Sequence, residues 1–127
     1  MSVTMVTNLF VYGTLRPGQQ RWPFLAPFVV GEGMPDAVAG ALYDTGVGYP
    51  AAVFGEPGRI LGQTYALRRS TLDRCLVVLD EVEGAVAGVY RRVALRTERG
   101  IAAWGYEYGS GLELRPIPSG DWLARER

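Results

Sequence analysis

The sequence predicts one α+β domain over residues 1–127, built as a small, mostly antiparallel β-barrel or curled sheet flanked by one or two helices. Three observations lead there. Short runs of β-type residues recur along the chain, each closed by a glycine or proline break. The intervals between them are too short for the crossover helices of a parallel sheet. Only one long segment carries helical periodicity.

In chain order, the first strand is the apolar run Leu9–Tyr12, ending in a Gly-Thr turn. A weak helix falls within Gln19–Leu25, where Pro23 limits it to a turn or two. Strands follow at Phe28–Val30, Ala37–Tyr43, Ala51–Phe54 and Ile60–Leu67. The main helix comes next. Ser70 reads as its N-cap, with Asp73 at the third helical position, close to a capping box. Leu72, Cys75, Leu76 and Leu79 form one apolar stripe, and Gly84 terminates it. Two more strands, Val89–Thr97 and Ile101–Tyr108, complete the set. No internal repeat or low-complexity block interrupts this order.

Composition narrows the chemistry. Apolar residues make up 48% of the chain, enough for a core without disulfides. Thirteen basic and 13 acidic residues balance, so the broad positive field needed for nucleic acid or an anionic bilayer is missing. There is no histidine, which removes Ser-His-Asp and Cys-His relays and imidazole ligands. Every basic residue is arginine, so Schiff-base and P-loop lysines are excluded. The lone Cys75 permits neither an internal disulfide nor a cysteine zinc cage, and on the apolar stripe it reads as a small core residue. The opening MSVTMVTNLF has no signal-peptide pattern, and no apolar run reaches a membrane span, so a cytoplasmic location is expected. An enzyme of this composition works with carboxylates, hydroxyls, tyrosines or backbone amides.

Two features suggest a site. The helix ends in LDEVEG, whose three acids face different ways. At about 100° per residue, Glu83 returns to within roughly 20° of Leu72 and points toward the core, while Glu81 points away. The helix C-terminus further disfavours a carboxylate there. Burial and dipole both raise the pKa of Glu83, toward the range useful to a general base. If the helix instead ends at Val82, Glu83 points to solvent; periodicity alone does not choose. The second feature is FVYGTLRPG, a strand running into Gly13-Thr14-Leu15. Such a turn can form a nest of amides for a carboxylate or oxyanion, with Gly13 free to take φ > 0 and to let a ligand approach. It can equally be a plain tight turn completed by Pro17-Gly18.

Taken together, FVYGTLRPG, GALYDTGVGYPAAV, LDEVEGAVAGVYRRV and AAWGYEY, in this order and reaching nearly to SGDW, resemble the gamma-glutamylcyclotransferase-like superfamily. The YGTL form is similar to the gamma-glutamylamine cyclotransferase and avirulence-induced-gene-like branch. The resemblance implies a small β-barrel flanked by helices, no metal or organic cofactor, and a small-molecule γ-glutamyl substrate. It implies that Glu83 is the catalytic acid/base and that Tyr12, Gly13, Thr14 and Leu15 cradle the substrate. Tyr90 and Tyr106 would line the pocket and position Glu83 or substrate, with Tyr49 a weaker candidate for its rim. Trp22, Trp104 and Trp122 read as packing groups, Trp22 with a possible place at the pocket mouth. Arg91-Arg92 on a strand alternate faces. Arg16 is a candidate to select an anionic leaving part.

The implied reaction is intramolecular: the α-amine of a γ-glutamyl substrate attacks its own γ-carbonyl and expels an amine, giving 5-oxoproline. Two other readings stand beside it, a non-catalytic small-molecule-binding module on the same barrel and an amide cleavage releasing an open-chain product. The loop reads YGTL rather than YGSN, which turns the expectation away from glutathione-type dipeptides. QQRWPF follows where many YGTL relatives have Asn or His, so the leaving-group pocket is expected to differ. Monomer and homodimer are both compatible with the composition.

Overall fold

The computed structural model describes residues 5–84, 89–110 and 113–124. The ends of the expected 1–127 domain and the AVAG stretch after Gly84 lie outside the described residues. The backbone forms one mixed sheet of six strands in the order β4-β5-β1-β3-β2-β6. Its strands are β1 (Asn8–Val11), β2 (Val29–Asp44), β3 (Pro50–Leu67), β4 (Tyr90–Arg96), β5 (Ala102–Tyr108) and β6 (Arg115–Pro116). The pairings are antiparallel except β1 with β5, and the sheet curls into a half-barrel. Two helices accompany it, the single turn α1 (Trp22–Leu25) and the longer α2 (Leu72–Val82). Among the described residues no helix is long and apolar enough to cross a membrane.

Strand β1 explains the uninterrupted apolar run at its position. It lies inside the sheet and is covered on both faces, so alternate residues feed two different cores. Leu9 and Val11 join Leu72, Cys75 and Leu79 of α2 on one face. Phe10 and Tyr12 point the other way, into the curl of the sheet, beside Ile60 and Trp122. Trp122 thus packs as expected, and Trp104 packs partly buried under the guanidinium of Arg92, 4.4 Å from its ring centroid. Cys75 is fully buried, which pushes its thiol up to about 11 and keeps it protonated.

The structure departs from the sequence reading at three places. The four strands expected between Phe28 and Leu67 are two long ones. Residues 31–33 and 55–58 bulge out of a single β2–β3 ladder, which resumes with a shifted register beyond each. Gly31, Gly55 and Gly58 take positive φ there, so glycines that read as strand ends instead carry bulges. The capping box at Ser70 does not form: a 3-10 turn over Arg69–Thr71 leads into α2, whose cap residue Thr71 makes no side-chain capping bond. Finally, Gly13 does not adopt positive φ. Its need for glycine is steric, since a Cβ there would stand 2.5 Å from Pro50 Cγ.

Candidate active site

One narrow cavity opens where the C-terminal end of β1 meets the C-terminal end of α2. Tyr12, Gly13, Thr14, Leu15, Glu83, Tyr90 and Tyr106 all line it, together with Phe10, Val11, Tyr49 and Pro50. Residues up to 96 positions apart in the chain therefore share one wall. The room left for the centre of a water-sized sphere is only about 20 Å³, enough for about one water molecule.

Glu83 reaches this cavity because of how α2 ends. The helix ends at Val82, the case in which Glu83 is expected to face solvent. Glu83 nonetheless stays in the right-handed helical region as the cap residue, and its amide still donates to the Leu79 carbonyl at 2.9 Å, so it keeps its helical direction. Gly84 then turns the chain away with φ of +72°. The Glu83 side chain is only 10% exposed, whereas Glu81 is exposed. Of the two directions the sequence allowed, the inward one is realised. Burial raises the Glu83 carboxyl from 4.5 to about 7, and the nearby Arg21 guanidinium opposes that rise. Among the described residues it is the only carboxylate that lines the cavity.

The facing wall is backbone. The chain turns after β1, with the Arg16 amide donating to Gly13 carbonyl at 3.1 Å and the Arg21 amide to Thr14 carbonyl at 2.8 Å. Among the described residues, no hydrogen bond is donated by the amides of Gly13, Thr14 or Leu15. Pro50 packs so close to Gly13 that no side chain fits between them.

The tyrosines are tied down. The Tyr90 hydroxyl donates to the Pro50 carbonyl, the Tyr12 hydroxyl to the Tyr106 carbonyl, and the Tyr106 hydroxyl to Asp80 Oδ1 at 2.7 Å. Each phenol finds an acceptor, as a buried hydroxyl must. Burial keeps all three in the neutral form, and the Glu83 charge adds to that. Tyr90 and Tyr106, expected to position Glu83 or substrate, therefore donate no hydroxyl bond to Glu83. Their protons go elsewhere, leaving rings and oxygen lone pairs for the cavity.

Asp80, one turn before Glu83, differs from it in partners. Arg92 Nε stands 2.9 Å from Asp80 Oδ1, the same oxygen that Tyr106 bonds. Arg91, on the opposite face of β4, pairs with Glu107. The two arginines alternate as a strand requires.

Arg16 does not take the place the sequence suggested for it, and another arginine stands beside the cavity. Arg16 does not line the cavity; its Nη1 lies 3.5 Å from Asp121 Oδ1, on a separate cleft. Arg21 was not singled out from the sequence, yet its Nη1 lies 3.2 Å from Glu83 Oε2 and its guanidinium sits 5.2 Å from the Tyr49 ring centroid. Its acid partner is 62 residues away, so no local pattern could have revealed it. Trp22 packs at 5.3 Å on Tyr65 and is not part of the cavity lining.

The chain resembles known proteins over most of its length. The family model for gamma-glutamyl cyclotransferase, AIG2-like proteins matches residues 9–124. The gamma-glutamylcyclotransferase family protein YtfP of Escherichia coli is 35% identical over 123 residues, covering 94% of this chain and 99% of that one. Gamma-L-glutamyl-butirosin B gamma-glutamyl cyclotransferase of Niallia circulans is 37% identical over 76 residues, 60% of this chain and 45% of that protein. Among solved structures, PH0828 from Pyrococcus horikoshii superposes with a TM-score of 0.69 at 29% identity, covering 91% of this chain and 89% of that one. A mouse AIG2-like protein shares the fold at a TM-score of 0.63 and 20% identity, with 97% and 86% coverage. The chain belongs to the AIG2-like gamma-glutamyl cyclotransferase family.

Proposed function

We propose that this protein is a cyclotransferase that cleaves a γ-glutamyl amide by internal attack, releasing 5-oxoproline and an amine. The observation that carries this reading is that, among the described residues, a single buried carboxylate, Glu83, lines a tyrosine-walled cavity opposite backbone amides that donate no hydrogen bond.

The reaction makes one bond and breaks one. The substrate α-nitrogen bonds to the γ-carbonyl carbon, closing a five-membered ring, and the bond from that carbon to the leaving nitrogen breaks. Counted from the neutral amine, one proton must leave the attacking nitrogen and one must reach the departing nitrogen. An entering ammonium must first give up one more, which the departing amine can carry away as its own ammonium. The substrate α-amine stands beside its own free carboxylate, which holds it above the roughly 8 of a peptide N-terminus, so at neutral pH it enters mostly protonated. Glu83, at about 7, is poised to accept that proton and pass it on. Water is not a reactant, and neither an imidazole nor a covalent nucleophile is needed.

The remaining parts supply orientation. The amides of Gly13 to Leu15 are suited to the carboxylate or the developing oxyanion of the glutamyl head. The rings of Tyr12, Tyr90 and Tyr106 leave little free room, which favours a folded substrate in which amine and carbonyl meet.

The test is mass-spectrometric detection of 5-oxoproline from γ-glutamyl amino acids, γ-glutamyl-ε-lysine and simple γ-glutamyl amines, with wild type and Glu83→Gln in parallel. Product formed by wild type alone supports the reading. Free glutamate in place of 5-oxoproline would mean hydrolysis. Binding of 5-oxoproline without turnover of any compound would leave a binding module.

A further inference from the structure

Resting on the cyclotransferase reading, we propose that Arg21 selects substrates whose leaving amine carries a carboxylate, so that the preferred class is γ-glutamyl α-amino acids rather than neutral or cationic γ-glutamyl amines. Three observations converge on this guanidinium. Among the described residues it is the only one hydrogen-bonded to a group lining the cavity. It lies over the Tyr49 ring, and the Arg21 backbone is anchored to the glycine loop by its amide on the Thr14 carbonyl. And it is nearer solvent than its partner: its side chain is 22% exposed against 10% for Glu83.

The reaction geometry turns these facts into a specificity. Glu83 must reach both the attacking and the departing nitrogen, so the leaving nitrogen lies within hydrogen-bond range of its carboxylate. Arg21 Nη1 is 3.2 Å from that same carboxylate, and its side chain is the more exposed of the two. The glutamyl head belongs on the inner side, against the glycine loop, so the leaving part extends past Arg21. In an α-amino acid the carboxylate carbon is two bonds from the leaving nitrogen, which sets it beside the guanidinium. A planar guanidinium has five N–H donors and matches a carboxylate in bidentate fashion, so it can take this new partner while remaining near Glu83. An ammonium in the same place meets a like charge, and a neutral group gains no ion pair.

The test compares γ-glutamyl-L-alanine with γ-glutamyl-L-alaninamide, which differ by one charge at nearly constant shape. Release of 5-oxoproline from either compound bears on the cyclotransferase reading; the ratio of the two kcat/KM values bears on Arg21. Wild type is expected to favour the acid by about 10- to 100-fold, the range of a charge-assisted hydrogen bond. In Arg21→Gln the ratio falls to about 1, chiefly through KM for the acid, and in Arg21→Lys it is partly restored. Should neither compound turn over, calorimetric Kd values for both ligands with wild type and Arg21→Gln give the same ratio without chemistry. A wild-type ratio near unity overturns the proposal. So does a preference that survives in Arg21→Gln, or an equal loss on both compounds, which would assign Arg21 to the glutamyl head or to Glu83 alone.

Discussion

Two cavities flank the turn after β1, and they differ in what they do with their acids. The wider cleft, about 560 Å³, is lined by Arg16, Arg59 and Arg99 together with Asp36, Glu98 and Asp121. The narrow one, about 20 Å³, holds a single carboxylate among tyrosines. Glu98 is gripped by Arg59 through bonds of 2.7 and 2.9 Å, which holds its carboxyl below the ordinary value. Burial works against the Asp36 charge, yet bonds from Thr97, the Ala37 amide, Thr64 and the Arg99 amide still hold its carboxyl low. These acids stay ionised through the physiological range and have nothing to exchange. Glu83 is pushed the other way, to about 7, because burial outweighs its one cation. Size is therefore a poor guide to a site. What matters is whether a titrating group is left able to change state.

The largest effect should separate these acids directly. Glu83→Gln is expected to lower turnover by about 10²–10⁴-fold, the usual worth of a general acid/base, while Glu98→Gln changes it by less than about twofold. Wild-type kcat/KM should fall about tenfold per pH unit below about 7, with the Gln variant flat. A pH profile without that break would remove Glu83 from the proton transfer.

The same raised pKa has a stability consequence of opposite sign to the ordinary carboxylate. In the unfolded chain Glu83 loses its proton near 4.5, but in the fold it keeps it until about 7. Between those values the native state binds more protons, so stability declines as pH rises, by up to about 3 kcal/mol. Glu83→Gln does not titrate and escapes this decline. Urea melts at pH 5 and pH 8 should show the variant gaining on wild type at the higher pH. Glu98→Gln should show no such gain.

A third expected effect concerns the backbone wall. Gly13→Ala forces a Cβ into Pro50, whose carbonyl also receives the Tyr90 hydroxyl. Overpacking of this kind costs about 1–3 kcal/mol, and the displaced loop should raise KM before it affects the wider cleft. Gly18→Ala meets no atom within 4 Å; its penalty is the positive φ alone and should leave KM unchanged. The smallest effect is reserved for Tyr106→Phe. It removes one hydrogen bond to Asp80, which Arg92 still holds, so thermal melts should register about 1 kcal/mol.

Much of the site was legible from local pattern because it sits at the ends of two regular elements. Helical periodicity made the core one of two directions open to Glu83, and the run into Gly13-Thr14 marked where β1 stops. Neither signal depends on distant contacts. Arg21 escaped because its partner lies across the fold, and Arg16 was misdirected because its charge is taken by Asp121, 105 residues further on. The bulges in β2 and β3 were hidden for a related reason. A glycine permits a turn or a bulge equally, and the choice belongs to the neighbouring strand.

By itself, then, the sequence determined the element types, the apolar stripe of α2, the apolar run of β1 and the chemistry available to a chain without histidine or lysine. These follow from periodicity and composition, which act over a few residues. Tertiary structure alone decided which cation faces Glu83, where the tyrosine hydroxyls send their protons, and why Gly13 must be glycine. Those are properties of surfaces that meet only after the sheet has curled, and the balance between burial and one distant charge then sets the carboxyl near 7.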